Sequence, residues 1–408
     1  MSFFGTVLTF LTTVMHLYVF VRLASLPLCR SRIRRRMLWG IGVLLWLVFV
    51  LGRMFRRQKG SLLTELLEVA GVAGVAGIQW MGSLFLLAMT LFAADLLTGF
   101  GLLLPKAVVL RIRSATLACG IGLVLIAHVQ GLQPPVVEQY ATTVSGLPAN
   151  LDGTTVVVLS DLHLGKMFIN ADWLKARVRQ VQNLQPDCIV LVGDLFERGS
   201  DAAALAPVLQ QLSAPLGVFA VRGNHDRFRP GRPDRAGSIL AASGIRLLSN
   251  EWTELAPGLV LAGIDDLTSS RRRSGQGKAD LTRALTDRPA GATILLSHTP
   301  WLVEQAAADG VGLMLSGHTH NGQIWPFSYL VRSRYPFLSG QYLVKGMSLF
   351  VCRGTGTWGP RMRLWQRSEI ALITLRSPVK LRPAIRRSSM RSCIPPYPAC
   401  RLARSCSR

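Results

Sequence analysis

The chain has 408 residues, half of them hydrophobic, with 46 Lys+Arg against 22 Asp+Glu and seven cysteines. That length leaves room for two or three units of ordinary size, about 100–200 residues each. The basic balance would suit an anionic partner, but much of the excess lies in loops between apolar N-terminal stretches and in the tail 377–408, so no groove-lining stripe for nucleic acid is implied. The absence of any CxxC pair argues against a thiolate zinc site, and Cys188, inside the apolar run CIVLV, reads as a core residue.

Residues 1–132 read as a helical membrane region. Four apolar stretches, 3–20, 37–50, 69–94 and 114–132, approach the length of about 20 residues that a span requires. The second is the shortest. The third carries Gly71, Gly74 and Gly77, small residues that let helix backbones approach closely. With three further stretches and no basic segment before Phe3, the first reads as a span rather than a cleaved leader. Loop one (Arg30, Arg32, Arg34, Arg35, Arg36) and loop three (Lys106, Arg111, Arg113) carry eight basic residues against four in loop two (Arg53, Arg56, Arg57, Lys59). Basic loops favour the cytoplasmic side, so loops one and three are expected inside and the C-terminal part outside.

Residues 133–152 form a linker or first edge strand after the helix-breaking Gln133-Pro134-Pro135. From 153 to 376 the pattern is that of an α/β domain. Short β-rich runs are predicted at 155–159, 188–192, 218–221, 259–263 and 293–296, with helices at 171–183 and 202–212 between them. Further strands are expected within 341–351 and 369–375. The tail 377–408, rich in Pro, Ser and Arg, has the composition of a disordered segment.

Five polar motifs each follow an apolar run: Asp161-Leu162-His163, Gly193-Asp194, Gly223-Asn224-His225-Asp226, His298, and Gly317-His318-Thr319-His320. Ligands in open α/β sheets bind beyond the carboxyl ends of strands, so five such groups can share one rim. Five of the seven histidines fall in these motifs. Imidazole and carboxylate together suit a pair of divalent metals, and a D-x-H or H-x-H alternation on extended chain would aim both side chains one way. A lone histidine in such a place is more often a core residue; five with Asp161, Asp194 and Asn224 are not. Asp265-Asp266 reads as loop structure, Arg271–Arg273 as a solvated charge run, and Trp301, Trp325 and Trp358 as either packing residues or membrane-interface anchors.

The ordered set D-x-H, G-D, G-N-H-D, H and G-H-T-H resembles the calcineurin-like metallophosphoesterase superfamily. SDLHLG, GDLFERG, VRGNHD, AGIDD, SHTP, SGHTHNGQIWP and VCRGTGTWGPRMRLW resemble a bacterial membrane-associated or secreted branch of it. Asn321 and Arg367-Ser368 depart from the residues usual there without removing a ligand. The resemblance implies a four-layer α/β/β/α sandwich and two divalent ions, Mn, Fe or Zn. One ion would be held by Asp161, His163, Asp194 and His320. The other would be held by Asp194, Asn224, His298 and His318, with Asp194 as the bridge. His225 would face the phosphoryl group as the catalytic residue. The implied reaction is hydrolysis of a phosphoester or pyrophosphate bond by a hydroxide that the ion pair activates.

The expected setting is a multi-pass protein of a bacterial inner membrane with its catalytic domain outside. Membrane lipid is the expected neighbour and a lipid-linked or membrane-proximal phosphate the substrate. The rivals are a UDP-sugar-lipid pyrophosphatase of lipid A synthesis, which needs a cytoplasmic site, a nuclease, which the charge distribution disfavours, and a catalytically dead membrane sensor, which the intact motifs disfavour.

Overall fold

The computed structural model describes residues 3–29, 31–55, 64–165, 169–197, 200–226, 234–270 and 275–378. Arg30, Arg56, Arg57, Lys59, the triplet Arg271–Arg273 and the tail from residue 379 lie outside the described residues.

Four helices come first: α1 (Phe3–Ala24), α2 (Arg32–Phe55), α3 (Thr64–Leu97) and α4 (Lys106–Leu132). Each is long and apolar enough to cross a membrane, over Gly5–Ala24, Arg32–Gly52, Val72–Leu97 and Lys106–Leu132. Small residues set how closely they pack. A Cβ on Gly52 would lie 2.5 Å from the Gly74 Cα, and one on Gly77 would lie 2.8 Å from the Phe49 Cα, so α2 and α3 touch backbone to backbone.

The fourth helix begins at Lys106 rather than at residue 114, which puts Arg111 and Arg113 inside it. Arg113 is tolerated because Asp95, fully buried near the end of α3, accepts its Nε at 3.0 Å and its Nη2 at 2.8 Å. The other Asp95 oxygen takes Arg22 Nε at 2.6 Å and the Tyr18 hydroxyl at 2.6 Å. One carboxylate thus ties the ends of α1 and α3 to the start of α4.

The rest is two six-stranded sheets face to face. The strands are β1 (Val136–Thr143), β2 (Thr155–Leu159), β3 (Cys188–Val192), β4 (Val218–Val221), β5 (Arg246–Leu247), β6 (Glu251–Ala256), β7 (Leu259–Gly263), β8 (Ala292–Leu296), β9 (Leu313–Ser316), β10 (Gly340–Val344), β11 (Met347–Val351) and β12 (Glu369–Arg376). The first sheet runs β1-β12-β2-β3-β4-β5 and the second β10-β11-β9-β8-β7-β6. The segment after Gln133-Pro134-Pro135 is an edge strand: β1 pairs in parallel with β12, Val136 opposite Glu369.

The inner strands β2, β3, β7, β8 and β9 are apolar on both faces because both faces are covered. Val156, Val158, Val190 and Val192 meet Leu259, Leu261, Ile294 and Leu296 between the sheets. Their alternate neighbours Val157, Leu159, Ile189 and Leu191 face α5 (Ala171–Gln182), α6 (Ala202–Leu209) and α7 (Arg235–Ala242). On the far side Ala262, Leu295 and Met314 face α8 (Leu267–Ser270), α9 (Gln276–Leu285) and α10 (Val303–Ala308). These are the four expected layers. One more helix, α11 (Phe327–Arg334), follows β9 and lies outside them.

The sandwich docks on the helices at the end opposite Asp95. Leu86 of α3 and Ala127 of α4 form a cluster with Ile324, Met362 and Leu364. The Arg363 amide donates to the Ala127 carbonyl at 2.8 Å and the Trp365 amide to Gln130 Oε1 at 2.8 Å. A Cβ on Gly131 would lie 2.5 Å from the Arg361 carbonyl oxygen.

Asp95→Ala would leave two guanidinium groups unpaired among the helices. Breaking one partner of a buried ion pair costs roughly 3–5 kcal/mol. Thermal unfolding of the detergent-solubilised protein is expected to show a marked fall in Tm, and an unchanged Tm would refute the structural role.

Candidate metal centre

The strands of both sheets deliver their C-terminal ends to one rim. Ser160 and Asp161 follow β2, Gly193 and Asp194 follow β3, Asn224 and His225 lie just beyond β4, His298 follows β8, and His318 and His320 follow β9. Asp161 (φ 54°), His163 (φ 48°), Asp194 (φ 53°), His318 (φ 72°) and His320 (φ 49°) all adopt left-handed backbone conformations, which cost non-glycine residues energy. Asp161-Leu162-His163 therefore does not continue an extended strand, as the sequence reading assumed; the chain turns, and the turn brings the side chains together. Glycine is required where these turns stack. A Cβ on Gly317 would lie 1.8 Å from Ser160 Oγ and 2.5 Å from Asp161 Oδ2, and one on Gly193 would lie 2.6 Å from the His298 ring.

Among the described residues three groups result that could hold a cation: Asp161 with His163 and His320, Asp194 with His298 and His318, and His163 with Glu197 and His225. In the first, His320 Nε2 is 3.2 Å from Asp161 Oδ1 and 3.1 Å from His163 Nε2. In the second, His298 Nε2 is 3.3 Å from Asp194 Oδ2 and 3.2 Å from His318 Nδ1. Asp194 Oδ2 also reaches within 3.9 Å of His163 Nε2, so this carboxylate lies between the first two groups. Asn224 sits beside them, its buried Oδ1 without a hydrogen-bond partner among the described residues. His225 belongs to neither of the first two groups; it stands in the third, at the outer edge of the rim. Its side chain is 27% exposed, and its Nδ1 lies 3.2 Å from Glu197 Oε1.

The tautomers show why a cation fits. A backbone carbonyl can only accept, so His298 Nδ1 must donate to Val192 O at 2.8 Å. Nε2 is then the nitrogen that titrates, and it faces a carboxylate oxygen, so a proton or a metal cation must stand between the two. His163 repeats the pattern, with Nδ1 at 2.9 Å from Glu197 Oε1 and Nε2 turned to His320. His318 Nε2 is 2.8 Å from the Tyr335 hydroxyl while Nδ1 turns inward. Imidazoles held from behind with their second nitrogen free to coordinate are the usual arrangement of metal ligands.

The electrostatics show the same demand for positive charge. Burial pushes the Asp161 and Asp194 carboxyls up, yet the surrounding imidazoles outweigh it and hold both below the usual carboxylate range. Burial works against a charged His298, but Asp194 overrides it and brings the ring to about 10, whereas burial and the charge of His298 lower His318 to about 4. His225 rises to about 9: burial opposes its charge, and Glu197 and Asp194 prevail.

Two supporting residues, and the role of a third, escaped the sequence reading. Glu197, three residues after Asp194, touches both His163 and His225. Tyr335, at the end of α11, touches His318. Asp226, the last residue of the GNHD motif, accepts the amides of Leu195 at 2.9 Å, Phe196 at 2.9 Å and Gly223 at 3.0 Å, and so fixes the Asp194 loop. Asp265 meets Arg222, Ser249 and Asn250, and Asp266 accepts from Thr299; both are loop structure.

The profile of the calcineurin-like phosphoesterases matches residues 154–322. An uncharacterized metallophosphoesterase of Aquifex aeolicus is 31% identical over 245 residues, 59% of this chain and 91% of that protein. One of Bacillus subtilis is 31% identical over 259 residues, covering 60% and 88%. The chain belongs to the calcineurin-like metallophosphoesterases. A "Transmembrane protein with metallophosphoesterase domain" of Danio rerio is 36% identical over 279 residues, 65% of this chain and 63% of its own length. The metallophosphoesterase thus spans less than two thirds of that relative.

If Asp226 orients the rim, Asp226→Asn should disturb it, because an amide NH2 would be turned toward converging N–H donors. Each buried donor left unsatisfied costs about 1–3 kcal/mol. Calorimetry of the purified variant should register a lower Tm; equal stability would remove Asp226 from the framework.

Proposed function

We propose that this chain is a membrane-anchored hydrolase of phosphoester or pyrophosphate bonds that works with two divalent ions, Mn, Fe or Zn. One ion would be held by Asp161, His163, Asp194 and His320, and the other by Asp194, Asn224, His298 and His318. The observation that carries the reading is the convergence of His298 Nε2 and His318 Nδ1 on the buried Asp194 carboxylate, a position that demands positive charge and that a metal cation would fill. Bound there, divalent ions supply Lewis-acid charge beside the phosphoryl oxygens and make water a stronger nucleophile at neutral pH.

The chain's own residues do the rest. Asp194, shared by both groups, sets their separation, and Glu197 orients His163 from behind. His225 stands at the open side with its ring held by Glu197. Glu197 and Asp194 favour its charged form, so it brings a proton to the leaving oxygen of the ester.

The apolar lengths of α1–α4 support anchoring in a bilayer, and the relatives from bacteria make an inner membrane the natural setting. The sandwich docks at the end of α3 and α4 away from loops one and three. Pairing with Asp95 removes Arg113 from the loop charges, and the basic excess on those two loops remains. That excess supports an extracytoplasmic site. With the site held at a membrane, the fitting substrate is a phosphate carried on or near a lipid.

Asp194→Asn removes the charge shared by both ions, so metal content and turnover should fall together, as read by elemental analysis and hydrolysis of an aryl phosphate with and without Mn2+. Two retained ions per chain would sink the assignment. His225→Ala should keep its metal and lose roughly 10²–10⁴ in kcat, the range of a general acid; loss of an ion from this variant would make His225 a ligand instead.

Topology has its own test. Alkaline phosphatase fused after Pro378 should be active, and a fluorescent protein that matures only in the cytoplasm should stay dark there. The reverse pair of results would move the site inside and favour the UDP-sugar-lipid pyrophosphatase.

A further inference from the structure

Helix α11 contains no buried residue, and its first half exposes large apolar side chains. Tyr329 is 68% exposed and Leu330 63%, and Trp325, Phe327 and Trp365 are exposed beside them. Trp325, Tyr329 and Trp365 line one cavity of about 290 Å3 together with Arg332. A contiguous patch of this kind marks an interaction surface.

Three observations identify what covers it. The patch continues the helical block: Phe327 meets Phe85 of α3 edge-on, with centroids 5.9 Å apart, and Ile324 packs with Leu86 and Ala127. Leu125, Val129 and Leu132, near the C-terminal end of α4, are exposed as well. The residue types are those of a headgroup zone, where Trp and Tyr concentrate. The charge also fits, since Arg332 and Arg334 end the helix and no acid lies on it; such side chains snorkel toward lipid phosphates.

We propose that the face formed by Trp325, Phe327, Tyr329 and Leu330, with Trp365, is a second bilayer contact, lying in the interface of the leaflet at which α3 and α4 hold the sandwich. The consequence is positional. The eight-residue α11 is about 12 Å long. Its far end leads into Tyr335, whose hydroxyl touches His318. The rim of the metal centre is then one short helix away from the headgroups, so a lipid-borne phosphate reaches it without leaving the membrane.

The inference rests on the reading of α1–α4 as spans, and the test separates the two. The full chain, with Cys29, Cys119, Cys393, Cys400 and Cys406 replaced by serine, receives one labelling site at a time: Leu330→Cys, Leu125→Cys in α4, or Glu251→Cys on the edge strand β6. Each is labelled with a nitrobenzoxadiazole fluorophore and reconstituted in phosphatidylcholine–phosphatidylglycerol nanodiscs. A nitroxide on the first carbons of the lipid chains should roughly halve emission at residue 330, as for a face buried about 5–10 Å into the boundary. It should also quench residue 125 and leave residue 251 to a water-soluble nitroxide. Quenching at 125 with residue 330 open only to the aqueous quencher would overturn the contact and leave the spans standing. Residue 330 shielded from both quenchers would mean a protein cover and would overturn it equally. An unquenched residue 125 would overturn the spans and the contact together.

Discussion

The structure is organised around one electrostatic constraint: the buried carboxylates of Asp161 and Asp194 meet five imidazoles at one rim that demands positive charge. Two carboxylates buried this close repel each other, and leaving them without compensating positive charge costs free energy. What makes the cluster affordable is positive charge, and what keeps it in place is the fold. The two sheets direct their strand ends to the same edge, so residues from β2, β3, β4, β8 and β9 meet over a short distance.

Holding those residues there strains the backbone. Left-handed conformations at non-glycine residues cost of order 1–3 kcal/mol each, and five of the site residues adopt them. The strain persists because each turn is tied on several sides. Gly356 N donates to the Asp161 carbonyl, His318 N to the Asp161 carboxylate, and His225 N to Asp194 Oδ1. Behind these turns the strands are buried on both faces, and they have no room to relax by sliding.

That two-sided burial is also what made the strands legible. Runs such as CIVLV and TVVVL are short and continuously apolar, which a half-exposed strand would not be. The histidines were legible because each stands directly behind such a run. Their backbone was not: nothing in D-x-H announces that Asp161 and His163 turn left-handed, since the turn is imposed by the 317–320 and 354–356 loops arriving from far along the chain. Glu197 and Tyr335 were invisible for the same reason. Their contacts depend on how loops stack across strands, and Tyr335 reaches His318 from 17 residues away. The start of α4 was misplaced because Lys106, Arg111 and Arg113 lower its apparent apolarity, while the Asp95 that neutralises Arg113 lies on another helix.

The same segment that completes the rim also grips the helices. Arg363 is fully buried, and its Nη2 donates to the carbonyls of Arg353 at 2.9 Å, Gly354 at 3.2 Å and Gly356 at 2.8 Å. Burial lowers its pKa to about 10, still far above neutrality, so a full positive charge lies under the loop that covers Asp161. From the same residue the backbone amide reaches the Ala127 carbonyl of α4. A shift of α4 along its axis would therefore pull on Arg363, and through it on Gly354 and Gly356 beside His320 and Asp161. The metal centre and the helical block are thus one mechanical unit, joined by a fully buried residue whose charge also acts on Asp161 and His320. This explains why a phosphoesterase domain with its own two-sheet core should still have its site shaped by the helices that precede it.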